Sequence, residues 1–188
     1  MIIIWLVGRP EVIGDVVGVF VGMRRAAATV LFLAWACGAA GAGTDNWRFD
    51  TANDGLVTAS VYATNKLITG GGALSYSPVL TIACRADGEP AWTEWLQLND
   101  AVSASRKITM SVTIDGAGKF DESWSVGTRG RQLMRDGADG IKRLVPANRL
   151  LLSWRFGLLS GRGQADFDLA GFDEAVSQIA GSCKTGRP

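Results

Sequence analysis

Two cysteines far apart in the chain constrain its fold more than any other feature. Cys84 lies in an apolar stretch with strand alternation, and Cys183 ends the last amphipathic stretch. Joined, they would close a loop of about 100 residues and contribute about 2–4 kcal/mol. The end of the chain must then return to the strand that carries Cys84. The alternative is two unpaired buried thiols, and the compartment decides between them, because disulfides persist where surroundings are oxidising.

The compartment is read from the residues that follow Met23, MRRAAATVLFLAWACGAAGAG. Arg24 and Arg25 make a short basic start, Ala26 to Ala36 an apolar run, and Ala40-Gly41-Ala42 the small-x-small pattern that a signal peptidase accepts. Cleavage is expected before Gly43. The competing reading is a membrane anchor. Against it, the run falls short of the roughly 20 residues of a span, and small residues follow it where an anchor would carry charge. Residues 1–22 place an apolar segment with Pro10, Glu11 and Asp15 ahead of a complete leader. We take Met23 as the true start, with a real N-terminal hydrophobic hairpin as the alternative. A lipid anchor at Cys37 fits less well, because Ala34 and the large Trp35 precede it.

The chain has 19 basic and 18 acidic residues. Residues 1–42 take away Arg9, Arg24 and Arg25 with Glu11 and Asp15, leaving 16 of each sign in a formally neutral domain. That balance does not argue for a nucleic-acid partner or an anionic membrane surface. No stable membrane insertion is expected after cleavage.

Within residues 43–188 one domain is expected. Gly43 to Asp54 reads as an extended entry, with Trp47 and Phe49 packing inward. Residues 56–64 are rich in β-branched and small side chains and read as a strand. Gly70-Gly71-Gly72 marks a loop. Residues 79–85 put Leu80, Ile82 and Cys84 on one face, by the two-residue period of strands. Residues 91–98 follow a turn, with Trp92, Glu94, Leu96 and Leu98 in phase. Residues 107–114 carry Ile108, Met110, Val112 and Ile114 on one face and hydroxyls on the other. Residues 120–126 pair back. Arg131 to Val145 suits a helix or two short turns, ended by Pro146. Residues 149–157 and 164–169 form a second hairpin. Gly171 to Cys183 is an amphipathic helix with Phe172, Ala175, Val176, Ile179 and Ala180 at helical spacing. About six strands and a final helix give an α+β fold: an antiparallel β-sheet or sandwich with a C-terminal helix tied to it by the Cys84–Cys183 disulfide.

The chain has no histidine. That removes Ser-His-Asp and Cys-His nucleophile arrangements and the usual zinc constellations. No catalytic motif, cofactor or metal site is expected. Carboxylate pairs need only two acids across a cleft, and Asp115, Asp121, Glu122, Asp166 and Asp168 are of the right type; exposed strand and turn carboxylates are the plainer account of them. Trp92 and Trp95 point to opposite faces of one strand, which makes one of them a candidate contact for sugar or protein. Arg129, Arg131 and Arg135, with Lys142 and Arg143, are candidates for a basic patch near the middle helix.

Four segments resemble the type VI secretion-associated accessory family called VasI or TagO, across about residues 79–183. They are Leu80-Thr81-Ile82-Ala83-Cys84; Ile114-Asp115 to Trp124; Leu133 to Leu152; and Phe167-Asp168-Leu169-Ala170-Gly171 through Cys183. Where that family commonly carries an Arg-Phe-Asp-like step, this chain has Val112-Thr113-Ile114-Asp115, without the arginine. The resemblance implies an accessory or interaction role in the envelope and brings no catalytic residues. The expected function is therefore that of an exported periplasmic accessory or binding protein that contacts an envelope protein. Two other classes remain open: a carboxylate-dependent hydrolase of envelope polysaccharide, and an inhibitor or immunity-type protein using the Gly70-Gly71-Gly72 loop.

Overall fold

A computed structural model describes residues 44–188 apart from Pro90, Ser105 and Thr185, and apart from the Thr128 side chain. The leader expected over residues 1–42, with Met23 and Cys37, lies outside the described residues. Among those residues no helix is long and apolar enough to cross a membrane.

A 3-10 turn, Thr44–Asn46, opens the domain. The strands are β1 (Arg48–Thr51), β2 (Leu56–Tyr62), β3 (Leu67–Ile68), β4 (Ser75–Tyr76), β5 (Val79–Arg85), β6 (Trp92–Gln97), β7 (Lys107–Ile114), β8 (Phe120–Val126), β9 (Gln132–Asp136), β10 (Arg149–Arg155) and β11 (Arg162–Asp168). Helix α1 (Ala138–Lys142) lies between β9 and β10, and α2 (Phe172–Cys183) follows β11. Nine strands make one antiparallel sheet in the order β1-β2-β5-β6-β9-β8-β7-β10-β11, and β3 pairs with β4 separately.

β11 ends that order, but its outer edge is not free. Thr64 and Asn65, just past β2, bond to it. The Thr64 N–H and hydroxyl donate to the Asp166 carbonyl (2.7 and 3.0 Å), the Asp166 N–H donates to Asn65 Oδ1 (2.9 Å), and Asn65 Nδ2 donates to the Gln164 carbonyl (2.9 Å). The sheet therefore curls until its last strand meets the continuation of β2, which covers an edge that would otherwise invite pairing with another chain. The Asp166 carboxylate is tied to the guanidinium of Arg149 on the neighbouring strand, β10.

Side chains alternate as the strand period requires. Val57, Ala59 and Val61 of β2, Leu80, Ile82 and Cys84 of β5, Met110 and Val112 of β7, and Leu150, Leu152 and Trp154 of β10 all belong to one core. Gly163 sits opposite Trp154 on β11, where a Cβ would come within 2.5 Å of the indole. α2 buries Phe172, Ala175, Val176, Ile179, Ala180 and Cys183 against that core. Asp173 and Glu174 in its first turn suit the helix dipole. Trp47 meets Phe172 edge-to-face at 5.4 Å, and its indole N–H donates to the Ala170 carbonyl. Cys84 and Cys183 are bonded, with their Cα atoms 6.2 Å apart. The disulfide thus fastens the end of α2 to a central strand.

The architecture is the expected one, with eleven strands among the described residues in place of about six. β1 and the β3–β4 pair are short. β9 corrects the helix expected from Arg131: its Leu133 pairs with Leu96 and Val126, and only the five residues of α1 after it are helical. The strand pattern was hidden because Arg135, two positions after Leu133, also faces inward, where a strand normally shows an apolar residue.

Two expected outcomes follow from this framework. Cys84→Ser with Cys183→Ser should lower unfolding free energy by about 2–4 kcal/mol in urea titrations, since the loop removed from constraint is long. Asp166→Asn should weaken the tie between β10 and β11 in a pH-dependent way. The Arg149 guanidinium, chiefly by hydrogen bonding, holds the Asp166 carboxyl below its ordinary value. Such a group contributes fully above its unfolded pKa of about 3.9 and loses its contribution as pH falls through the lower folded value. The difference in urea midpoint between wild type and Asp166→Asn should be present at neutral pH and shrink in strong acid; an unchanged difference there would discount the ion pair.

Candidate functional site

Two regions concentrate polar or exposed chemistry. The first is buried. Glu94 of β6 faces inward between Trp92 and Leu96 and is fully enclosed, at 0% exposure. Arg143, just after α1, reaches it with two hydrogen bonds of 2.9 and 2.8 Å. The same guanidinium makes two more, of 2.8 and 2.9 Å, to Glu122 of β8, and a further one to the Gly140 carbonyl. Trp124 donates its indole N–H to Glu122 Oε2 at 3.0 Å. Arg135 Nη1 stands 3.7 Å from Glu122 Oε1, buried and without a hydrogen-bond partner among the described residues.

Two carboxylates thus face two guanidiniums. Burial pushes the Glu94 carboxyl above its ordinary value, against the pull of Arg143. Burial also works against the charge on Arg143, but the two glutamates outweigh it and hold its pKa high. α1 must pass close to let this happen: a Cβ on Gly140 would lie 2.7 Å from Arg135 Nη1 and 3.1 Å from Glu94 Oε2. All four carboxylate oxygens are engaged, and none of the cavities described below is lined by Glu94 or Glu122. The arrangement holds charge in place and fastens α1 across β6 and β8.

The second region is the loop end beside the seam. A cleft of about 520 Å³ is walled by Leu67, Ile68 and Gly70 on one side and Phe156, Ser160 and Arg162 on the other, with Lys66, Asp100 and Ala101 completing it. Next to it the β10–β11 turn raises Leu158 and Leu159, 94% and 100% exposed. Ile68 and Leu74 of the β3–β4 hairpin are also exposed. Gly70-Gly71-Gly72 lies at the tip of that hairpin. Four large apolar side chains on two hairpins in water are an unusual concentration for a domain with a filled core.

The residues singled out in the sequence fall in different places. Trp92 is buried, and its indole N–H donates to the Gly186 carbonyl at 3.2 Å, so it presents no surface. Trp95 is half-buried on the opposite face, in a depression of about 400 Å³ with Met134, Gln132 and Arg85. Arg129 and Arg131 are exposed, whereas Arg135 and Arg143 turn inward, so the five cations do not form one patch. Asp115 accepts the backbone N–H groups of Asn148 and Arg149 (2.9 and 2.8 Å) and pins a turn. Asp121 accepts from Ser111, and Asp168 accepts from the Ala170 N–H. Glu94, the inward role of Arg143 and the Leu158-Leu159 pair were not singled out. The available signals were a carboxylate in phase with Trp92 and Leu96, and two leucines inside a hairpin turn.

Removing Arg143 should expose the cost of the buried charge. Arg143→Leu is expected to lose about 3–5 kcal/mol at neutral pH, because Glu94 is left enclosed without its cation and must either stay charged or take up a proton, each at a cost. An acid whose folded pKa is raised gains stability as pH falls through that value, so the variant should recover in urea titrations at mildly acidic pH. Adding Glu94→Gln should restore part of the loss at neutral pH. A loss that neither acid nor Glu94→Gln relieves would point to packing instead.

No protein-family model matches the sequence, and no curated protein matches it. Among solved structures, invasion associated protein B from Bartonella henselae is similar in fold, with a TM-score of 0.50, 12% identity, and coverage of 74% of this chain and 94% of that one. At that identity the likeness concerns the fold alone.

Proposed function

We propose that this domain works outside the cytoplasm, in the periplasm or beyond, as an accessory protein that binds an envelope protein through its loop end. The observation that carries the reading is the exposure of Leu158, Leu159, Ile68 and Leu74 around the 520 Å³ cleft. An apolar group of this kind gains free energy when a partner covers it, at roughly 25 cal/mol per Å². The bonded cysteines support an oxidising compartment. The segment from Met23 to Ala42 supports export. The four segments resembling VasI or TagO proteins support a link to a type VI secretion apparatus. Binding fits better than turnover, because each acid considered for catalysis is already bonded within the protein. A second reading, an inhibitor or immunity-type protein, draws on Gly70-Gly71-Gly72 at the tip of the same end.

A photo-crosslinking residue placed at Leu158 in exporting cells should capture one protein of defined mass, and one placed at exposed Glu174 on α2 should not. Leu158→Ser with Leu159→Ser should abolish capture from position 68. If the captured protein is an enzyme whose activity falls in the complex, the inhibitor reading prevails. Equal capture at both positions would sink the loop-end assignment.

A further inference from the structure

The outer face of β8, β7, β10 and β11 carries a different chemistry from the loop end. Strand register places Asp121, Ser111, Ser153 and Gln164 in one line across all four strands. Thr109 and Thr113 of β7 share that face. Two depressions of about 290 Å³ each run along it and are continuous, since both are lined by Ser111, Lys119, Ser153 and Arg162. The carboxylate in the line, Asp121, is already bonded to Ser111.

The cations here are arranged in a way that costs stability. Arg155 and Arg162 are register partners, directly opposite on β10 and β11. Both are exposed, and neither they nor Lys119 makes an ion pair or side-chain hydrogen bond with any described residue. Like charges directly opposite across a strand pair repel. Other arginines on the strands of the sheet are matched, Arg149 to Asp166 and Arg85 to Asp54, and Arg143 is matched to two glutamates. A facing arginine pair over a row of hydroxyls and an amide suits a ligand that brings its own negative charge and its own hydroxyls.

The geometry points to a binding site for an anionic saccharide, one whose sugar units carry carboxylate or phosphate. Arg155 and Arg162 would hold the anionic group through forked, charge-assisted hydrogen bonds. Ser111, Ser153, Thr109 and Gln164 would meet sugar hydroxyls. Trp154 is the one aromatic residue lining the trough, and it is buried in the core, so a nucleic acid would find no stacking platform there. The trough adjoins the loop-end cleft at Arg162, which lines both, but its chemistry is distinct and the inference does not depend on that reading.

Calorimetric titration of the purified protein with a short oligogalacturonate at low salt tests it. Binding is expected, weakening as salt rises, with no binding of a neutral malto-oligosaccharide of the same length. Arg155→Gln with Arg162→Gln should weaken binding about tenfold or more, while Arg129→Gln with Arg131→Gln, an equal loss of charge elsewhere, should stay within about twofold. The first pair should melt no lower than wild type, since the substitution removes a repulsion. The proposal is overturned by absence of oligogalacturonate binding, by equal loss in both double variants, or by equal binding of a single-stranded DNA oligomer. A melting temperature well below wild type for Arg155→Gln with Arg162→Gln would likewise overturn it, because the arginines would then be structural.

Discussion

One guanidinium organises the interior of this domain. Arg143 enters the core from the end of α1 and bonds two carboxylates on two strands, β6 and β8, that flank β9. Removing it would leave Glu94 enclosed without its cation, which a core tolerates poorly. Keeping it requires α1 to pass so close that Gly140 has no room for a side chain. The position of a five-residue helix is thereby set by charge, where packing of so short an element alone would set it weakly. Replacing such a network with apolar groups can leave stability unchanged or raise it, so its worth lies in fixing one arrangement of strands and helix.

Two further restraints act at other points of the sheet. The disulfide fastens α2 to β5, and the Thr64–Asn65 segment fastens β11 to the continuation of β2. Together the three restraints tie the first strands, the middle strands and the last strands to one core. What stays outside their reach is the pair of hairpin tips at the loop end. A binding surface built on tips held by a rigid frame loses little conformational entropy when it is covered, which is why binding residues so often sit on loops of such scaffolds.

Much of this fold was legible because its strands obey a two-residue period. Leu80, Ile82 and Cys84 announced a core face, and the Cys84 position on that face implied that the Cys183 helix would lie against it. β7 and α2 could be read for the same reason. β9 could not, because Arg135 occupies an inward position and only a partner 13 residues away in sequence, Glu122, explains it. Glu94 showed its phase but not its partner, since Arg143 approaches from a segment whose path is tertiary. The apolar loop end was concealed for an opposite reason: leucines in a turn look like core residues until the turn is seen to have nothing over it.

Net charge hid the most. Residues 43–188 carry equal numbers of acids and bases, an equality that by itself points to no surface for an anion. Yet the balance is a sum over two unlike populations. Arg143 and Arg149 face their carboxylates within the protein, and Arg143 is largely removed from solvent. Arg155, Arg162 and Lys119 stand on the outer face with no partner among the described residues. The field at a surface is set by the charges that are unpaired and near it, because screening confines their reach to about 10 Å at moderate salt. A neutral domain can therefore present a cationic trough on one face. Strand alternation makes that division: inward positions on β6, β8 and β9 gather charges that cancel, whereas on the outer face of β10 and β11 Arg149 is matched by Asp166 and the facing pair Arg155 and Arg162 is not.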